Sequence, residues 1–296
     1  MFPKEMVMSR KIKGFIFATG ILGLCGTVGP AIAKDADSLQ VKGSDTMVNL
    51  VQSWAEEFMK KEPSSFIAVT GGGSGTGLAA LIGGSCEVAA SSRQIKAQEI
   101  ALAEKKRVHP KEFQVALDGL AVVVNPGNPV SQLTMDQLAG IFTGKIGNWK
   151  EVGGDDAKIV VLSREVNSGT HVYFKEHVLR KGDPKSQEEF SSDALLLSSS
   201  QAIADEVKQN KAAIGYYGMG YIGKDHKAIS VGKDAASGFV YPTVADVVSG
   251  RYPISRPLFI YVSGEPQGVV KSFLDYILSP EGQALVSKMD FVPITA

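Results

Sequence analysis

The chain has 296 residues with 31 basic and 31 acidic side chains, so its formal charge is zero. No basic field marks it for nucleic acid or for an anionic membrane surface. It has only two cysteines, Cys25 and Cys86, too few for a disulfide scaffold, so stability has to come from packed cores.

Residues 1–33 read as an export signal. Lys4, Arg10, Lys11 and Lys13 form a basic start, Phe15 to Cys25 an apolar stretch, and Ala31-Ile32-Ala33 a cleavage site. The glycines and Pro30 in this stretch argue against a membrane span. Cleavage near Ala33 would remove Cys25 and leave 263 residues with a formal charge of −3. That length suits two lobes rather than one core. Any positive potential for an anion would have to be local.

Leu39-Gln40-Val41 reads as a strand, and Val48, Val51, Trp54, Ala55, Phe58 and Met59 as the stripe of an amphipathic helix. Phe66 to Thr70 is a second strand and Glu87 to Ala90 a third, with short helices over Leu78 to Ile82 and about Ala97 to Arg107. An apolar run from Val115 to Val124 ends at Asn125-Pro126-Gly127. A second unit follows: a helix over Thr134 to Phe142, a strand over Lys158 to Leu162, a helix over Gly169 to Leu179, mostly helix from Ala194 to Asn210, and a strand over Ala213 to Tyr217. Leu258 to Val262 reads as a return strand, and two helices close the chain.

The expected fold is α/β, two lobes with mainly parallel sheets. The segments 34–119 and 257–296 would form lobe 1, and 120–256 lobe 2. Crossing strands near 117–122 and 256–261 would act as a hinge.

Where strands give way to helices, hydroxyl-and-glycine clusters recur four times. They are Gly43-Ser44-Asp45-Thr46, the run Gly71 to Gly77 containing Ser74, Gly75 and Thr76, Ser91-Ser92-Arg93, and Ser168-Gly169-Thr170 with Arg164 upstream. A helix start offers unpaired N–H groups and partial positive charge, a ready anion site. Four such starts, two with an arginine, point to one small, multiply charged oxyanion.

Phosphate fits this load, since its oxygens want about a dozen hydrogen bonds. Arg93 and Arg164 could each fork onto two oxygens. The plainer alternatives are an ion pair of Arg93 with Glu99 and simple helix capping by Ser168 and Thr170. A P-loop is excluded because Leu78, not lysine, follows Gly77.

The chain resembles the PstS family, the phosphate-binding components of bacterial phosphate ABC importers. The likeness runs from about Leu39 to Val292. It includes the four clusters, Gln137 to Trp149, Ser163-Arg164-Glu165, and Tyr252-Pro253-Ile254-Ser255-Arg256-Pro257-Leu258. The resemblance implies phosphate contacts at Asp45, Thr46, Ser74, Ser92, Arg164 and Ser168-Gly169-Thr170, capture by lobe closure, and handover to a permease with its ATPase. It also implies a periplasmic location.

Some family members carry, in the third cluster, an aspartate that accepts the ligand's proton; here Ser92 stands at that position. Asp45 is the candidate replacement, unless it only caps its helix. Asp118, on a crossing strand, is expected to partner Arg93 or a backbone N–H. Trp149, Tyr252 and the Gln137–Gly147 segment are read as scaffold, and Cys86 as a buried small hydrophobe.

No cofactor or metal site is implied by the histidine spacings, and the expected state is a monomer. Two rival readings keep the pocket. One is a different oxyanion, such as molybdate, tungstate or sulfate. The other is a secreted phosphoesterase, with His171 imagined as a base for Ser168, although a side chain there is expected to be solvated.

Overall fold

The computed structural model describes residues 37–294; the export signal expected at 1–33 lies outside the described residues. The chain opens with three strand-then-helix units: β1 (Ser38–Gly43) and α1 (Val48–Lys61), β2 (Phe66–Thr70) and α2 (Ser74–Ile82), β3 (Val88–Ser91) and α3 (Ala97–Lys105). The three strands are parallel, with Val41 of β1 lying between Val69 and Val88. Helix α1 lays Leu50, Val51, Trp54, Ala55 and Phe58 on this sheet, the stripe its spacing predicts.

Strand β4 (Pro110–Val124) then leaves the first lobe for the second. There follow β5 (Gln132–Thr134), α4 (Met135–Phe142), β6 (Val160–Arg164), α5 (Gly169–Phe174), β7 (Leu195–Leu197), α6 (Ser200–Gln209), β8 (Ala213–Gly218), β9 (Lys227–Ala228), β10 (Ser230–Gly232) and α7 (Val244–Val248). Helix α4 begins as expected at Thr134, whose hydroxyl accepts from the Gln137 N–H while the Gln137 side chain accepts from the Thr134 N–H. Strand β11 (Ser255–Ser263) returns to the first lobe, and α8 (Gly268–Leu278) and α9 (Pro280–Lys288) complete it.

One curled path orders the main sheet β2-β1-β3-β11-β4-β8-β6-β7. The flanks are parallel, β2-β1-β3 in one lobe and β8-β6-β7 in the other. Antiparallel pairing is confined to the crossing strands and their neighbours. Residues 110–119 of β4 pair with β11, and 120–124 pair with β8 in the other lobe. Pro257 cannot donate to this ladder. Opposite it, Leu117 exchanges both backbone hydrogen bonds with Val292 instead, at 2.8 and 3.0 Å.

Each lobe has its own core. Leu39, Trp54, Phe58, Ile260, Phe273 and Ile277 centre the first; Leu138, Phe142, Trp149, Phe174, Tyr216 and Tyr252 centre the second. Trp149 and Tyr252 are buried scaffold, donating to the carbonyls of Ala212 and Leu120. Cys86 is buried, and burial pushes its thiol up to about 11.

Three expected elements differ. The stretch 194–210, expected to be mostly helix, is so from Ser200, where Ser199 caps α6, but opens with a strand, β7, beside β6. Helix α2 starts at Ser74, inside the glycine run rather than after it. The expected helix over 169–179 is α5 followed by a wider turn over Lys175–Leu179, closed by the Arg180 N–H on the Lys175 carbonyl.

Candidate functional site

Because β1, β2 and β3 are parallel, their C-terminal ends lie together, and the end of β6 meets them from the second lobe. The loops leaving these ends carry the four clusters. The hydroxyls of Ser44, Thr46, Ser74, Ser92, Ser168 and Thr170 are all buried, none of the six residues more than 3% exposed.

Ser74 and Ser92 stand with their hydroxyls 3.2 Å apart, and the Ser92 N–H donates to Ser74 Oγ at 3.0 Å. Gly169, the first residue of α5, comes so close that a Cβ there would lie 2.4 Å from Ser74 Oγ and 2.6 Å from Ser92 Oγ. Ser168 caps α5, accepting from the Thr170 and His171 N–H groups, which leaves its own hydroxyl proton free to donate. Ser44 Oγ has no partner among the described residues, so its donor capacity is also unspent.

The two threonines meet across the cleft at 2.8 Å, one from each lobe. Arg256 Nη2 donates to both, at 3.3 Å to Thr46 Oγ1 and 2.9 Å to Thr170 Oγ1. With both oxygens accepting from the guanidinium and one hydroxyl donating to the other, one hydroxyl proton remains for a ligand. Asp118 neutralises Arg256, accepting from Nε at 3.2 Å and Nη2 at 3.0 Å, and takes the Met219 N–H at 3.2 Å. Burial pushes the Asp118 carboxyl up and Arg256 pulls it back; burial likewise lowers Arg256 and Asp118 counters that.

Arg164, 1% exposed, is held by the turn between β7 and α6. Its Nη1 donates to Ser200 Oγ at 3.0 Å, its Nη2 to the Ser198 carbonyl at 2.8 Å, and its Nε to the Leu197 carbonyl at 3.3 Å. Asp45 Oδ2 lies 3.2 Å from Nη1 and accepts the Ser200 N–H at 2.8 Å. Asp45 therefore caps α6 of the opposite lobe rather than its own helix. Tyr221 adds a further link, donating to the Asp45 carbonyl at 2.9 Å.

Other candidate residues are engaged by partners of their own. Arg93 forks onto Glu99, at 2.8 and 2.7 Å, and lines a neighbouring cleft of about 370 Å³ with Lys96, Tyr173 and Glu176. The plainer alternative, an ion pair, describes it. Asp118 partners Arg256 and the Met219 N–H, not Arg93. Gly75 and Thr76 are engaged by Asn167 of the second lobe.

His171 is buried, not solvated. Its Nδ1 sits 2.8 Å from the Arg164 carbonyl and 3.3 Å from Ser163 Oγ, not on Ser168, and burial lowers its pKa to about 4. This leaves Ser168 without a positioned base.

Sequence reading did not single out Arg256, the residue that bridges the two threonines, though it lies in the quoted Tyr252–Leu258 stretch. A charged residue between apolar positions of an expected crossing strand was the available signal. Ser200, at the end of the serine run that opens α6, and Asn167, in the loop before Ser168, were missed because neither carries a pattern that names its partner.

The arrangement offers a dense set of buried donors from both lobes and two compensated arginines, which is binding chemistry for an oxyanion. Comparison with known proteins agrees. Residues 28–281 match the model of the PBP superfamily domain. The phosphate-binding protein PstS of Bacillus subtilis is 33% identical over the whole of this chain and 96% of its own length. A Clostridium perfringens substrate-binding protein whose crystal structure holds bound phosphate is 34% identical, with a TM-score of 0.78 over 87% of this chain and 100% of that one. An ABC-type phosphate transport receptor from Vibrio cholerae is 30% identical, with a TM-score of 0.68 over 86% and 99%. The chain therefore belongs to the PstS family of phosphate-binding proteins, within the PBP superfamily.

Proposed function

We propose that this chain binds inorganic phosphate between its two lobes and delivers it to the permease and ATPase of an ABC importer. The contact that carries the reading is the Thr46–Thr170 pair, one hydroxyl from each lobe, tied to the crossing strand by Arg256. The family is one of substrate-binding transport proteins rather than enzymes, so the phosphoesterase reading falls.

The ligand set we assign is Ser44, Asp45, Thr46, Ser74, Ser92, Arg164, Ser168, Gly169 and Thr170. Charge-assisted hydrogen bonds contribute roughly 1.5–3 kcal/mol each, so a few suffice for micromolar binding, about −8 kcal/mol. β4 and β11 serve as the hinge between lobe 1 (34–119 and 257–296) and lobe 2 (120–256).

Asp45 is the acceptor of the phosphate proton in this reading. Its Oδ2 is occupied by Ser200 and Arg164, while Oδ1 has no hydrogen bond from a described residue. Sulfate, with no proton at neutral pH, would meet that carboxylate as a like charge, which favours phosphate over sulfate.

Proteins of this family act outside the cytoplasm. Cleavage near Ala33, a periplasmic location and a monomeric state without nucleic acid complete the proposal. Thermal unfolding tests the reading, because a ligand of the native state raises Tm with its concentration. Phosphate should raise Tm progressively from micromolar to millimolar; a Tm indifferent to phosphate would refute it.

A further inference from the structure

Asn167 touches none of the six buried hydroxyls, yet it makes three hydrogen bonds across the cleft. It lies in the loop between β6 and α5, half-buried, one residue before Ser168. Its carbonyl accepts the Gly75 N–H at 3.0 Å. Its side-chain amide donates to the Gly72 carbonyl at 2.8 Å and to Thr76 Oγ1 at 3.2 Å. The carbonyl partner fixes which end of the amide faces it, since only the nitrogen can donate.

The receiving surface is shaped for this residue. A Cβ on Gly73 would stand 2.9 Å from the Asn167 carbonyl oxygen, and one on Gly75 3.2 Å from it. Gly73 also holds φ at +97°, which a side chain disfavours. The Gly75 N–H belongs to the first turn of α2, where no carbonyl of its own helix can reach it. The second lobe therefore supplies a cap for a helix of the first, and supplies it only when the lobes are together.

We propose that Asn167 is a positioning residue, a clasp that seats Ser168-Gly169-Thr170 against the first lobe and sets the rate of ligand release. The glycine run is its receptacle. The proposal rests on the phosphate reading only for the identity of the ligand; the clasp itself concerns lobe closure.

Its energy enters the closed state and not the open one. Loss of the amide should therefore speed release while leaving encounter alone. Two net hydrogen bonds correspond to roughly a 10- to 100-fold change.

The experiment uses the chain in a Cys25→Ser background, with and without Asn167→Ala, for stopped-flow phosphate binding and with fluorophores at Lys105→Cys and Lys185→Cys, exposed positions of the first and second lobe. The buried Cys86 stays unlabelled. Asn167→Ala should release phosphate about tenfold faster or more, with association changed less than about twofold. It should also shift the lobes towards greater separation, and Gly75→Ala, which crowds the Asn167 carbonyl, should do the same. Release and separation both equal to wild type would overturn the clasp, as would slower association with unaltered release. If the unsubstituted chain ignores phosphate while Asn167→Ala still widens the lobe separation, the phosphate reading fails and the clasp stands.

Discussion

Arg256 and Asp118 face each other as a directly paired couple on the two crossing strands, with Nη2 3.0 Å from Oδ2 and both residues buried. The same Nη2 reaches Thr170 of the second lobe. One guanidinium thus joins the crossing strands, a buried carboxylate and the Thr46 and Thr170 hydroxyls.

Replacing Asp118 with Asn removes the charge that Arg256 depends on. Breaking a buried pair from one side costs about 3–5 kcal/mol, because the remaining charge is stranded. Urea unfolding of Asp118→Asn should show a loss of that order. Pairing it with Arg256→Met should recover much of the loss, and an equal loss in the double variant would contradict the pairing argument.

Gly169 admits no side chain in the closed form, since its Cβ would fall among Ser74 and Ser92. Gly169→Ala should keep the fold, as judged by circular dichroism, and lose phosphate affinity by about 10- to 100-fold or more, the scale of a methyl forced into a packed site. Affinity within about threefold of wild type would show that the cluster does not close on the ligand.

Asp45→Asn keeps an oxygen for the Ser200 N–H and removes the carboxylate from the pocket. Phosphate binding should weaken while sulfate binding improves, so the preference for phosphate shrinks. Competition titration measures the ratio directly, and an unchanged ratio would remove Asp45 from the role of proton acceptor.

His171 predicts an acid-sensitive fold. Its pKa is lowered by burial from 6.5 to about 4, so between those values the unfolded chain binds a proton that the folded chain refuses. The stability held above pH 6.5 should therefore drain as pH falls towards 4. In denaturant titrations across that window, His171→Gln should show a shallower decline than wild type. Parallel declines would mean that another group controls the acid limb.

Much of this was legible in the residues because the clusters sit where the hydrophobic period changes from two to nearly four. Strand followed by hydroxyls followed by helix is a local pattern, and parallel strands carry their exits to one place. The crossing strands were legible for a similar reason, as a long apolar run and a proline-flanked return. The pairings were not. Arg256 reaches Asp118 over 138 positions and Thr46 over 210, and no local periodicity encodes such partners. Arg93 has the composition of a ligand, yet Glu99 sits close enough in the chain to claim it first. Leu195-Leu196-Leu197 reads equally as helix or strand until β6 supplies its ladder.

Calorimetric titration of the mature chain, Lys34 to Ala296, with phosphate and then sulfate at neutral pH tests the central claim most directly. The account predicts one phosphate per chain at micromolar affinity or tighter, with sulfate giving no comparable heat. Silence towards phosphate, or sulfate binding of equal strength, would contradict it.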